Sequence, residues 1–97
     1  MPPVISPFSF GALPLNAGEI AQLQCLVPTG DLPLAVAWAF PGADAPSARG
    51  VSTMALSERI SLLMIGAVDT RHIGNYTCTA RNAAGAVSYT APLTVKG

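Results

Sequence analysis

Arg71-His72-Ile73-Gly74-Asn75-Tyr76-Thr77-Cys78, residues 71–78, is the stretch on which the fold turns. A turn ending at Gly74 leads into a strand in which side chains alternate, so Tyr76 and Cys78 share one side while Asn75 and Thr77 share the other. Outward from this stretch the chain has one other cysteine, Cys25, and one tryptophan, Trp38. In a sandwich of two antiparallel sheets, a cysteine from each sheet can meet its partner across the core. An indole then packs on the bridge, and a tyrosine two residues before the second cysteine ties down the corner. The expected core is therefore built on Cys25, Cys78, Trp38 and Tyr76.

Ninety-seven residues make a small domain whose apolar core alone is marginal. A disulfide closing a loop of roughly 50 residues would add about 4 kcal/mol on the chain-entropy model, and it would belong to an oxidising, extracellular compartment. Zinc is the alternative use of two cysteines, but the one histidine, His72, and the lack of a Cys-x-x-Cys pair leave a site incomplete. Five basic and five acidic residues cancel and are scattered. That argues against a nucleic-acid footprint or direct membrane contact, both of which need clustered Lys and Arg. The charged fraction is 10% and the apolar fraction 51%, so a soluble domain of this size must expose apolar side chains, and large exposed patches usually bind something. No apolar run reaches the length of a membrane span. The chain opens on Met-Pro-Pro with no leader, so the expectation is one domain, residues 1–97, excised from a larger cell-surface receptor.

Pro2, Pro3 and Pro7 bias the start towards an extended edge strand. Leu13–Gly18, with Pro14, Asn16 and Gly18, reads as a turn. Residues 19–27 form a strand with Ala21, Leu23 and Cys25 inward and Gln22 and Gln24 outward. Leu34–Phe40 is the next, with Leu34, Val36, Trp38 and Phe40 inward and three alanines outward. Pro41–Gly50 is a long connection with room for a short edge strand. Residues 51–56 and 58–65 read as strands joined by a tight turn at Ser57. A helical turn fits near Val68–Arg71, followed by a strand from Asn75 to about Asn82, a hairpin at Ala83–Gly85 and a last strand over Ala86–Val95. The fold class is all-β, a sandwich of two antiparallel sheets with no helical layer.

Leu63-x-Ile65-x-x-Val68, followed by Gly74-x-Tyr76-x-Cys78-x-Ala80-x-Asn82-x-x-Gly85, resembles the intermediate set of immunoglobulin domains. Pro7-Phe8-Ser9-Phe10-Gly11, Gly30-Asp31-Leu32-Pro33-Leu34 and residues 71–78 narrow the likeness to domains of the Dscam family, with the shortened proteins of chelicerates a fitting home. His72 departs from the general pattern, which usually has aspartate there, often paired with an arginine. Asp69 with Arg59 or Arg71 is the expected substitute. The resemblance implies an immunoglobulin sandwich with its inter-sheet disulfide and a role in cell adhesion, often by pairing of identical copies. In similar domains the sheet face that corresponds to residues 19–27, 51–56 and 58–65 is a self-recognition surface.

With Ser61, Leu63 and Ile65 inward, Ile60, Leu62 and Met64 project outward from the strand. Large apolar residues on an outer face, flanked by Gln22 and Gln24, have the make-up of an interface centre with a polar edge. A two-residue turn at Ser57-Glu58 would add Thr53 to that face. The expected homophilic interface is thus Gln22, Gln24, Thr53, Ile60, Leu62 and Met64, meeting a second copy antiparallel about a two-fold axis. A register slip by one residue would instead bury Leu62 and Met64.

Asn75-Tyr76-Thr77 is an N-glycan acceptor sequence with Asn75 pointing outward. No nucleophile, base and oxyanion donors converge, so no catalytic residue is expected, and the dispersed acids offer no metal site or cofactor site. His72 reads as a turn residue that hydrogen-bonds the corner. The function expected is homophilic recognition by the ectodomain of a membrane receptor. Two other readings stay open: an immune domain binding a foreign ligand, marked by binding without self-association, and a structural spacer, marked by free thiols.

Overall fold

The computed structural model describes residues 1–11, 14–45 and 49–96. Leu13 of the expected first turn, residues 46–48 of the expected long connection and Gly97 lie outside the described residues. The strands are β1 (Leu15–Asn16), β2 (Ala21–Leu26), β3 (Ala35–Ala39), β4 (Val51–Ser57), β5 (Ile60–Ile65), β6 (Gly74–Asn82), β7 (Gly85–Leu93) and β8 (Val95–Lys96). A 3-10 turn at Thr70–His72 precedes β6.

Period-two alternation builds two sheets that each have an apolar side. One sheet has the order β2-β5-β4 and the other β3-β6-β7, with every pairing antiparallel. Beside them β1 runs parallel to β8. Ala21, Leu23, Leu63 and Ile65 from the first sheet are buried against Tyr76, Ala91 and Leu93 from the second. Cys25 of β2 and Cys78 of β6 join the sheets through a disulfide, with S–S 2.03 Å and Cα–Cα 6.4 Å, and both residues are fully buried.

Trp38 lies directly opposite Cys78 in the register and so on the same inward side. Its indole N–H donates to Ser61 Oγ at 3.0 Å on the facing sheet, which satisfies both groups of a buried polar pair. Phe8 packs edge-on against Trp38 and Tyr89 at centroid distances of 5.6 and 4.8 Å, so the N-terminal segment closes this end of the core. Tyr76 is fully buried, and its hydroxyl donates to the His72 carbonyl at 2.6 Å. Burial pushes its phenol up to about 12 against the opposing field of Arg49.

Three expectations change in detail. The N-terminal strand reduces to a bridge between Val4 and Thr29 and a bond from Ser6 N–H to Leu26 C=O, because the prolines lack donors. Leu15–Asn16, read as part of a turn, is a strand whose partner, β8, lies at the far end of the chain. The last strand is interrupted at Thr94, where the chain leaves β6 and takes up β1.

The turn after β4 corrects the facing of Thr53. Ser57 Oγ accepts from Arg59 N–H, the two-residue loop is Glu58-Arg59, and Ser57 pairs with Ile60. The next pair is Ala55 with Ser61, so Leu56 is an extra, bulged residue. That insertion moves Thr53 opposite Leu63, on the core side of the sheet at its open edge, while Met54 comes opposite Leu62. Thr53 therefore does not belong to the outer face.

Candidate functional site

Cross-strand partners share a face, so the register draws the outer surface of the β2-β5-β4 sheet row by row. Gln24, Leu62 and Met54 form one row, and Gln22, Met64 and Ser52 a second. Leu26 and Ile60 begin a third, ending at Ser57. Ser61, Leu63 and Ile65 are buried between these positions, which fixes Ile60, Leu62 and Met64 outward and excludes the slipped register.

Ile60, Leu62 and Met64 are half-buried because strands flank them on both sides. Met54 and Leu56 on the edge are 53% and 54% exposed, large values for side chains of their size. Gln22 and Gln24 are exposed on the other flank. No charged residue stands in these rows. The result is an apolar strip across the sheet, bordered by Gln22 and Gln24 on the β2 side and running out through Met54, between Ser52 and Ser57, on the β4 side. A groove between residues 6–9 and Gln22, Gln24 and Leu62 continues it past β2. Leu26 was legible from its alternation with Cys25. Ser52 and Met54 were not, because only the bulge brings them here.

The outer face of β3-β6-β7 has a different chemistry. Ala35, Ala37 and Ala39 stand beside Thr77, Thr79 and Arg81. Hydroxyl pairs Thr77–Thr90 at 2.7 Å and Thr79–Ser88 at 2.8 Å use up polar groups within the sheet. Asn75 is exposed on this face opposite Pro92.

The corner before β6 holds most of the ionic structure. Asp69 caps the 3-10 turn by accepting from Arg71 N–H at 2.8 Å, and it pairs with the Arg71 guanidinium at 2.9 Å. Arg59 goes elsewhere, donating to the carbonyls of Val27 and Gly30 at 3.2 and 2.9 Å. The Arg71 side chain, then its backbone N–H, holds the Asp69 carboxyl down at about 2 from an ordinary 3.8. Because the folded value is the lower one, this stabilisation is present above about pH 4 and fades as pH falls towards 2. Asp69→Asn should therefore lower the urea midpoint near neutral pH, and the gap to the unmodified protein should close by about pH 2. A gap that persists unchanged there would assign the effect to something other than the Asp69 charge, since asparagine keeps an acceptor for Arg71 N–H.

His72 is fully buried with both ring nitrogens engaged. Nδ1 accepts from Asp69 N–H at 2.9 Å and Nε2 donates to the Arg49 carbonyl at 2.7 Å. Its proximity to Asp69 is thus structural, with no nitrogen left to act as a base. Among the described residues no group of three or more His, Cys, Asp or Glu is arranged to hold a metal ion, and no helix is long and apolar enough to cross a membrane.

Comparison with known proteins agrees with this architecture. The immunoglobulin domain family model matches residues 2–82. The chain is 41% identical over 96 residues to the cell adhesion molecule Dscam1 of Drosophila melanogaster, covering 98% of this chain and 5% of that protein. It is 40% identical to the cell adhesion molecule DSCAML1 of Homo sapiens, over 99% of this chain and 4% of that one. The chain thus spans about one-twentieth of the length of the curated relatives it matches. The crystal structure of the Dscam1 Ig7 domain, isoform 9, superposes with a TM-score of 0.88 at 41% identity, covering 98% of this chain and all of that one. A titin I-band fragment, I67–I69, superposes at 0.80 and 29% identity over 98% of this chain and 32% of that one. The last likeness shows that titin and the Dscam1 domain share this scaffold, so the fold by itself does not assign a function. With most of its length matched by the family model and a Dscam domain aligned end to end, the chain belongs to the immunoglobulin-domain family and, within it, to the domains of the Dscam cell adhesion molecules.

Proposed function

We propose that this domain, as one unit of a larger receptor, mediates homophilic recognition by pairing with a second copy of itself through the outer face of β2-β5-β4. It is an adhesion-type immunoglobulin domain of the extracellular part of a cell-surface protein, from a family that is not enzymatic. The observation that carries the self-pairing is the uncharged strip of Ile60, Leu62, Met64 and Met54 across the sheet, bordered by Gln22 and Gln24. Two copies meeting antiparallel about a two-fold axis would set each strip against its equivalent, with the glutamines forming the polar margin. Variants of the strip would then discriminate by misfit or by leaving a glutamine unpaired. One domain would bind modestly, and many copies on apposed cells would supply the rest.

Sedimentation equilibrium of the domain beside Leu62→Asp tests this. A symmetric contact loses two leucines, each already half-buried in the free domain and so worth about half of the roughly 1.5–3 kcal/mol of full burial. The dissociation constant should therefore rise at least ~10-fold with thermal stability retained. Salt should change it little, since no ion pair is involved. A dimer that survives the substitution would rule out this face. A wild-type domain that stays monomeric at every concentration would rule out self-pairing of the isolated domain and favour a different partner.

A further inference from the structure

We infer that Asn75 carries an N-linked glycan, installed before β6 closes into its sheet. Asn75-Tyr76-Thr77 meets the acceptor rule of Asn-x-Ser/Thr without proline, and the fold treats its three residues differently. Tyr76 is fully buried, whereas Asn75 is exposed. Pairing of β6 with β3 starts at Thr77 opposite Ala39, so Asn75 lies beyond the end of β3. On its other side the partner is Pro92, which is exposed as well. A first sugar can lie over this proline without displacing any strand.

The timing follows from Thr77 and Cys78. In the folded domain the Thr77 hydroxyl is bonded to Thr90 at 2.7 Å, its backbone is paired on both sides, and the next residue is locked in the disulfide. A transferase that must read the threonine in an extended acceptor can do so only before those bonds form. In the transfer, the Asn75 side-chain nitrogen bonds to the anomeric carbon of a polyprenyl-diphosphate-linked oligosaccharide. The sugar–phosphate bond breaks, the polyprenyl diphosphate leaves with the electron pair, and one amide proton is released. The modified face is opposite the apolar strip, so the glycan would not obstruct pairing through that strip.

The test is to secrete the chain behind a cleavable leader from insect cells, with Asn75→Gln alongside, and to map residue 75 by peptide mass spectrometry before and after enzymatic deglycosylation. Wild type should show a glycan at residue 75 that the variant lacks. The occupied fraction should increase when reductant in the medium delays the Cys25–Cys78 bond. An unmodified Asn75 in both media would overturn the site. Occupancy indifferent to reductant would overturn the order of events while leaving the site in place.

Discussion

Cys25→Ala/Cys78→Ala should lower the melting temperature by about 20 °C. The bridge closes a loop spanning 53 positions, and on the chain-entropy model such a link contributes about 4 kcal/mol through the unfolded state. A domain of this size has a total stability of roughly 5–15 kcal/mol. Each kcal/mol shifts its midpoint by about 4–8 °C. Alanine is the informative replacement: both sulfurs are fully buried, and serine would add two hydroxyls with no partner, a separate penalty. Reduced wild type should melt near the double variant, and thiol titration of the native protein should find both cysteines blocked. A drop under about 5 °C would mean that the two sheets hold without their link.

The link was readable because few residue types do the work at such a site. Strands β2, β3 and β6 were equally legible, each carrying an anchor (Cys25, Trp38, Cys78) whose inward direction fixes every neighbour by alternation. Strand β4 has no such anchor. Val51–Ser57 is a run of small and apolar residues without period, so its facing hung on the turn, and the turn hung on one hydroxyl. Ser57 Oγ bonds Arg59 N–H and displaces the loop by one residue, and the bulge at Leu56 then offsets the register by one, which reverses the facing of the rest of β4. A bulge is a property of two strands together, and neither sequence alone announces it.

The same division runs through the proposed interaction face. Ile60, Leu62, Met64, Gln22 and Gln24 were placed by alternation from buried neighbours, and the register brings them together in adjacent rows. Thr53 was drawn to that face by the turn and is removed from it by the bulge, which puts Met54 there instead. The exchange makes the strip more apolar and extends it to the open edge of the sheet, where a partner chain would meet it first. At the corner, the choice of Arg71 over Arg59 for Asp69 follows from reach. Arg71 sits on the turn that Asp69 caps, whereas the carbonyls of Val27 and Gly30 already hold Arg59.

His72→Ala should cost about 3 kcal/mol in unfolding free energy, from a buried void and two orphaned backbone groups. The imidazole spans Asp69 N–H and the Arg49 carbonyl, an acceptor at one end and a donor at the other. It thereby ties the start of β4 to the cap of the 3-10 turn, directly beneath the carbonyl that receives the Tyr76 hydroxyl. Aspartate, which the general immunoglobulin pattern would place here, should not restore the loss. A carboxylate can accept from Asp69 N–H, but it has no donor for the Arg49 carbonyl, and Asp69 Oδ1 lies only 3.5 Å from the present Nδ1. Only a carboxylate–guanidinium pair could compensate, and the Arg49 guanidinium is already donating to the Arg71 carbonyl at 3.2 Å. Urea unfolding at neutral pH should rank wild type well above His72→Ala, with His72→Asp no better than alanine. Acid should narrow the aspartate deficit, since protonation supplies the missing donor and removes a buried charge. Wild-type stability in His72→Asp would instead show that Arg49 releases Arg71 and makes the ion pair, and the histidine would then be one of two equivalent ways to close this corner.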